Sequence, residues 1–145
     1  MSADKAKLKR LRRLERLRAI TRQTALGEAA KAEAALAQVA NLEARTAALI
    51  EAYALRRDAA HAGELQQMTQ FVSGLTRIAE TTAGDLARAR AHADARASEA
   101  AEAERRRAAV EDRLCATEQR ITRKAAESAV PTSAGSPGPV GTPLE

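Results

Sequence analysis

The first 130 residues contain no proline, and all four prolines (131, 137, 139 and 143) fall within the last 15 positions. Proline lacks a backbone N–H and clashes with the preceding helical turn, so it is the residue that most sharply limits where a long helix can run. Nothing of that kind interrupts residues 1–130. Ala is the commonest residue, followed by Arg, Glu and Leu, and these are strong helix formers. The same residues are poor material for a thick core. Each Ala buries little area, aromatic residues make up 1% of the chain and charged residues 30%. Long helices packed along a narrow seam are the expected outcome. The tail "PTSAGSPGPVGTPLE" (131–145) also carries Gly135, Gly138 and Gly141, and its composition predicts disorder.

Apolar spacing divides residues 1–130 into two helices. From Tyr53 backward, steps of three and four reach Ile50, Thr46, Glu43, Val39, Leu36, Ala32, Ala29 and Ala25, with Leu42 and Leu49 flanking the line. Toward the N-terminus the spacing tightens to Leu8, Leu11, Leu14, Leu17 and Ile20. Steps of three drift around a helix, so the apolar face there is wider or the seam shifts. A second helix reads through Leu65, Met68, Phe71, Leu75, Ile78, Thr82, Leu86, Ala89 and Ala93, then Ala103, Val110, Leu114, Thr117 and Ile121. Gly74 and Gly84 lie inside it, each costing about 1 kcal/mol relative to Ala and leaving room for a partner. Between the helices, "DAAHAGE" offers Gly63 as a left-handed cap of the first helix.

If the chain folds back near residue 62, facing residues have numbers that sum to about 124. Tyr53 then meets Phe71, Leu49 meets Leu75, Thr46 meets Ile78 and Leu42 meets Thr82. At the far end Leu14 meets Val110, Leu11 meets Leu114 and Leu8 approaches Thr117. One turn position therefore registers both apolar ladders. The predicted fold is all-α: a long antiparallel two-helix coiled-coil hairpin over residues 1–130, with helices at about 4–58 and 64–128, a turn at about 59–63, and the disordered tail after it. The rival is one continuous helix in a parallel dimer.

Charge is unevenly placed. Residues 1–22 hold nine Lys/Arg against Asp4 and Glu15, a balance of +7, whereas the remainder holds 15 basic and 17 acidic residues, a balance of −2. Cys115 is the only cysteine, which rules out an internal disulfide framework and suits a small apolar packing role. No apolar h-region opens the chain, and no run reaches about 18 apolar residues, so a cytoplasmic setting is expected.

No catalytic constellation is visible. There is no Gly-rich phosphate loop and no Cys/His pair at metal spacing. His61 and His92 read as solvated residues, and an extended hairpin offers no cleft to shift a carboxylate pKa. A non-enzyme without metal or cofactor is expected. The segment "KAKLKRLRRLERLRAITRQ" (5–23) is the sharpest charged feature. It has four readings: a nucleic-acid-binding basic region, a basic amphipathic helix on anionic lipid, a docking face for an acidic protein surface, or a solvated helix face. Against the first, it lacks an Asn at a base-reading position, and its Leu residues recur where a groove-bound helix would be polar all round. Tyr53 and Phe71, the only two aromatics, either fill the space near the bend or anchor a partner there.

Three stretches resemble the flagellar FliJ family, the small soluble coiled-coil component of the flagellar type III export apparatus. They are the opening "LKRLRRLERLRAITRQTALGEAAKAEAAL", the helix end "LEARTAALIEAY" and the element "MTQFVSGLTRIAETT". The chain departs from the family in lacking an early Phe, in carrying Met68 where a Tyr commonly precedes the Phe, and in Gly74 and the Pro-rich tail. The resemblance implies a stalk-like hairpin that couples the export ATPase to the export gate in flagellum biogenesis, protein transport and motility. It also implies an escort role for export chaperones. It places Leu42, Leu49, Tyr53, Phe71, Leu75 and Ile78 against the cytoplasmic domain of the gate, and Leu8, Leu11, Arg13, Leu14, Leu17 and Arg18 against the ATPase. It implies no catalysis, with the protein held at the inner face of the cell membrane through its partners; no cofactor is expected, and the residues of 5–23 argue against a nucleic-acid partner. The alternatives are a basic coiled-coil nucleic-acid-binding protein and a structural scaffold or adaptor coiled coil.

Overall fold

The structure, a computed structural model, describes residues 2–56 and 62–131 together with Gly135, Gly138 and Gly141. Two helices account for nearly all of it. Helix α1 spans Ser2–Leu55 (54 residues) and α2 spans Ala62–Ala129 (68 residues). At 1.5 Å per residue they are roughly 80 and 100 Å long. Asp4 and Glu64 lie in the first turns, where a carboxylate favours the positive end of the helix dipole. The Arg56 N–H donates to the Tyr53 carbonyl at 3.2 Å, tightening the end of α1 into a three-residue turn. α2 stops just ahead of Pro131, as the steric demand of proline on its predecessor requires.

The helices pack against each other as a hairpin, which sets aside the single continuous helix. Five ion pairs cross between them, and their residue numbers sum to between 122 (Arg107 with Glu15) and 130 (Arg12 with Glu118). The fold-back sum of about 124 lies within that range. The turn expected at 59–63 is divided: residues 59–61 lie outside the described residues, as does His61, while Ala62 and Gly63 already belong to α2. Gly63 is therefore not a left-handed cap, and no glycine has positive φ. The expected tail disorder also lies outside the described residues, apart from Pro131 and the three glycines, none of which is helical.

The seam follows one uninterrupted alternation of fours and threes. On α2 it runs through Met68, Val72, Leu75, Ala79, Thr82, Leu86, Ala89, Ala93, Arg96, Ala100, Ala103, Arg107, Val110, Leu114, Thr117 and Ile121, all buried or half-buried. On α1 it runs through Asp4, Leu8, Leu11, Glu15, Arg18, Arg22, Ala25, Ala29, Ala32, Leu36, Val39, Glu43, Thr46, Ile50 and Tyr53. This is heptad spacing along both helices. It corrects three expectations. Phe71 and Ile78 are exposed beside the seam, which takes Val72 and Ala79 instead. Leu17 and Ile20 are exposed as well, because the seam passes through Glu15, Arg18 and Arg22 and does not follow the steps of three. Cys115 is exposed and does not pack.

The buried residues are small: Ala32, Ala93, Ala100 and Ala103 in the middle of the rod, with Leu75 and Val110 toward its ends. Each Ala methyl contributes only on the order of 1 kcal/mol, so stability accumulates through length. Two of the three buried Thr residues satisfy their own hydroxyls. Thr46 donates its hydroxyl to the Leu42 carbonyl and Thr117 to the Arg113 carbonyl, each at 2.8 Å, so a β-branched polar residue enters the seam without an unmet hydroxyl.

Candidate functional site

Two surfaces stand apart on this rod. The first is at the bend. Heptad spacing places Leu42 and Leu49 on the flank of α1 just before the seam position, and Phe71 and Ile78 on the matching flank of α2. All four are about half exposed, between 46% and 51%. Tyr53 occupies the seam beside them, its ring centroid 4.8 Å from that of Phe71 at an interplanar angle of 59°. That tilted contact fixes one face of each ring. The Arg56 guanidinium covers the Tyr53 ring at 5.9 Å from its centroid. On the other flank, Tyr53, Leu65, Met68, Thr69 and Val72 line a groove of about 200 Å³. Leu75 lies beneath the patch, only 8% exposed, and belongs to the seam. Of the six residues that the resemblance points to the gate, four form an outward patch, Tyr53 is half-buried under its edge and Leu75 is core. Gly74 sits between Phe71 and Ile78 in the sequence, and a Cβ there would meet nothing within 4 Å, so the chain itself gives no packing reason for the missing side chain.

The second surface is the open end, where both termini of the hairpin meet. Folding back adds to its basicity. Residues 1–22 contribute nine basic and two acidic groups, and residues 104–124 contribute seven and four, so the end carries +10 while the rest of the chain carries −5. The contribution from α2 is what the sequence reading left out. The signal was available, because the same fold-back arithmetic applies to charge as to leucines. Lys7, Leu11, Arg113, Ala116, Thr117 and Arg120 line a groove of about 480 Å³ on this end. Of the residues implied to face an ATPase, Arg13 and Leu17 are exposed. Leu8, Leu11, Leu14 and Arg18 are half-buried against α2.

Within this end the seam is ionic. Arg107 donates to Glu104 at 2.8 and 3.0 Å and to Glu111 at 2.8 Å, and it lies 4.0 Å from Glu15 across the seam. Arg22 pairs with Glu104, although its buried Nε–H is not aimed at the carboxylate, and the Arg18 Nε is likewise buried without an acceptor. The Arg107 hydrogen bond, followed by the charges of Arg107 and Arg22, holds the Glu104 carboxyl below its ordinary range. The hydrogen bonds to Glu104 and Glu111 hold Arg107 above its own. Asp4 is lowered by its hydrogen bond from Lys124 at 3.0 Å and by the charges of Lys124 and Arg120. Long arginines enter a helix seam by packing their aliphatic stems and sending the charged head to the rim.

Among the described residues, no three His, Cys, Asp or Glu side chains gather as metal ligands, and no helix is long and apolar enough to cross a membrane. Among the described residues the arrangement offers exposed surfaces for docking. As a class it is a two-helix hairpin with an apolar bend and a basic open end. Comparison with known proteins finds no matching family model, curated relative or solved structure.

Proposed function

We propose that this chain is a non-enzymatic coupling protein of the flagellar type III export apparatus. The observation that carries the reading is the separation of two unlike surfaces on one stiff rod. The apolar patch of Leu42, Leu49, Phe71 and Ile78 lies near the bend, and the basic open end lies roughly 50 Å away along α1. A helical rod transmits displacement between its ends, which suits a link between an ATPase and a membrane gate. The open end takes the export ATPase, with Arg13 and Leu17 in direct contact and the half-buried Leu8, Leu11, Leu14 and Arg18 holding the two helix ends together. The bend patch takes the cytoplasmic domain of the gate, and export chaperones are a further partner. The protein then sits at the inner face of the cell membrane through these partners.

Phe71→Ala combined with Ile78→Ala tests the patch. Both residues lie outside the seam, so helix content is expected to persist while gate binding falls by on the order of tenfold or more. Arg10→Glu with Arg13→Glu is expected to remove ATPase binding and leave gate binding in place. A wild-type chain that captures neither partner would overturn the reading.

A further inference from the structure

The seam of α1 leaves a second line of side chains pointing the opposite way. Arg10, Arg13, Leu17, Ile20 and Thr24 follow one another at steps of three and four, and all are exposed. They therefore share one outward face. Leu17 is 56% and Ile20 62% exposed, more than any residue of the bend patch. Lys9 and Arg16 border the line. The ion pairs on this end of α1 use Asp4, Arg12, Glu15 and Arg22, so among the described residues Lys9, Arg10, Arg13 and Arg16 have no carboxylate partner.

We propose that this face of α1, from Lys9 to Thr24, adsorbs to an anionic lipid surface. The four unpaired cations meet headgroup phosphates, and Leu17 and Ile20 enter the boundary between headgroups and acyl chains. Charge complementarity carries the argument, since the whole end holds +10 and the headgroups of an anionic layer are negative. Shape selects lipid over the other anionic partners. Leu17 and Ile20 stand on the convex side of one helix, with α2 on the far side of the seam. A lipid layer closes around a convex side chain without a preformed cavity. A nucleic-acid backbone would satisfy the arginines but leave both aliphatic side chains in water. Arg13 and Leu17 are also the residues that the export reading gives to the ATPase, so lipid and ATPase would compete for this face, and the vesicle test reads lipid binding with no ATPase present.

The test is co-sedimentation of the full chain with vesicles of phosphatidylcholine alone and of phosphatidylcholine with phosphatidylglycerol. Binding is expected only to the anionic vesicles, weakening as salt rises. The double variant Leu17→Gln/Ile20→Gln is expected to lower the partition coefficient by on the order of tenfold, with unchanged helix content by circular dichroism. Absence of wild-type binding at low salt overturns the proposal, and so does a double variant that binds as well as wild type. A duplex DNA that binds the chain more tightly than the anionic vesicles at equal salt also overturns it.

Discussion

Replacing Leu17 and Leu75 one at a time by Ala separates two placements of the seam. In the structure Leu75 is 8% exposed and packs between the helices, whereas Leu17 is 56% exposed on the outer face of α1. Truncating a buried Leu removes its transfer free energy and leaves a cavity, about 2–5 kcal/mol in compact cores. A two-helix seam relaxes more readily, so about 2–3 kcal/mol is expected for Leu75→Ala. Leu17 has given up less than half of its exposure, and Ala is the better helix former, so Leu17→Ala is expected to cost under ~1 kcal/mol. For a chain of this size each kcal/mol moves the melting temperature by roughly 3–5 °C. Thermal melts followed by far-ultraviolet circular dichroism should then show a drop on the order of 10 °C for Leu75→Ala and only a few degrees for Leu17→Ala. If Leu17→Ala destabilises as much as Leu75→Ala, the seam follows the leucines at steps of three. The placement of Glu15, Arg18 and Arg22 between the helices would then be wrong.

The middle of the rod should resist enlargement. Ala93 is 3% exposed and Ala32 on the other helix 5%, so Ala93→Leu is expected to push the helices apart and cost about 1–3 kcal/mol, read as a lowered urea midpoint. Gly74→Ala should do the opposite, raising stability by about 1 kcal/mol, because the position is helical and nothing lies within 4 Å of an added Cβ. A loss of stability there would mean that the glycine serves a conformation other than helix. Acid should loosen the open end. The folded-state pKa values of Asp4 and Glu104 lie below their ordinary 3.8 and 4.5, so their stabilising contribution is full above those values and is lost as pH falls through the lowered ones. Amide hydrogen exchange near residues 4–22 should therefore accelerate more than exchange near the bend when pH drops below about 4, after correction for intrinsic rates. Equal acceleration at both ends would refute the assignment.

Much of the hairpin was legible because it rests on simple physics. The absence of proline and the abundance of Ala, Leu, Arg and Glu dictate long helices. The bounds read from the sequence differ from Ser2–Leu55 and Ala62–Ala129 by a few residues. The fold-back near residue 62 followed from matching two apolar ladders. The faces of individual side chains were less legible. Met68 is followed three residues later by Phe71 and four later by Val72, and both are apolar, so the local spacing permits either in the seam. The same ambiguity placed Ile78 ahead of Ala79, whereas in α1 the apolar Leu14 and Leu17 stood beside the charged seam residues Glu15 and Arg18 and drew the line away from them.

The sequence by itself determined that this chain is helical and that its N-terminal segment is basic, and it favoured a fold-back near residue 62 over one continuous helix. Only the packed hairpin decided which residues the two helices share. The reason is that a heptad seam must keep one phase over its whole length. Leu8, Leu11 and Leu114 on one side, and Ala25 to Val39 on the other, hold that phase through Glu15, Arg18 and Arg22 despite their charge. Phe71 and Ile78 are turned outward for the same reason, since Val72 and Ala79 keep step with Met68 and Leu75. The concentration of +10 at one end is likewise a property of the fold, because it sums two segments about a hundred residues apart in the chain.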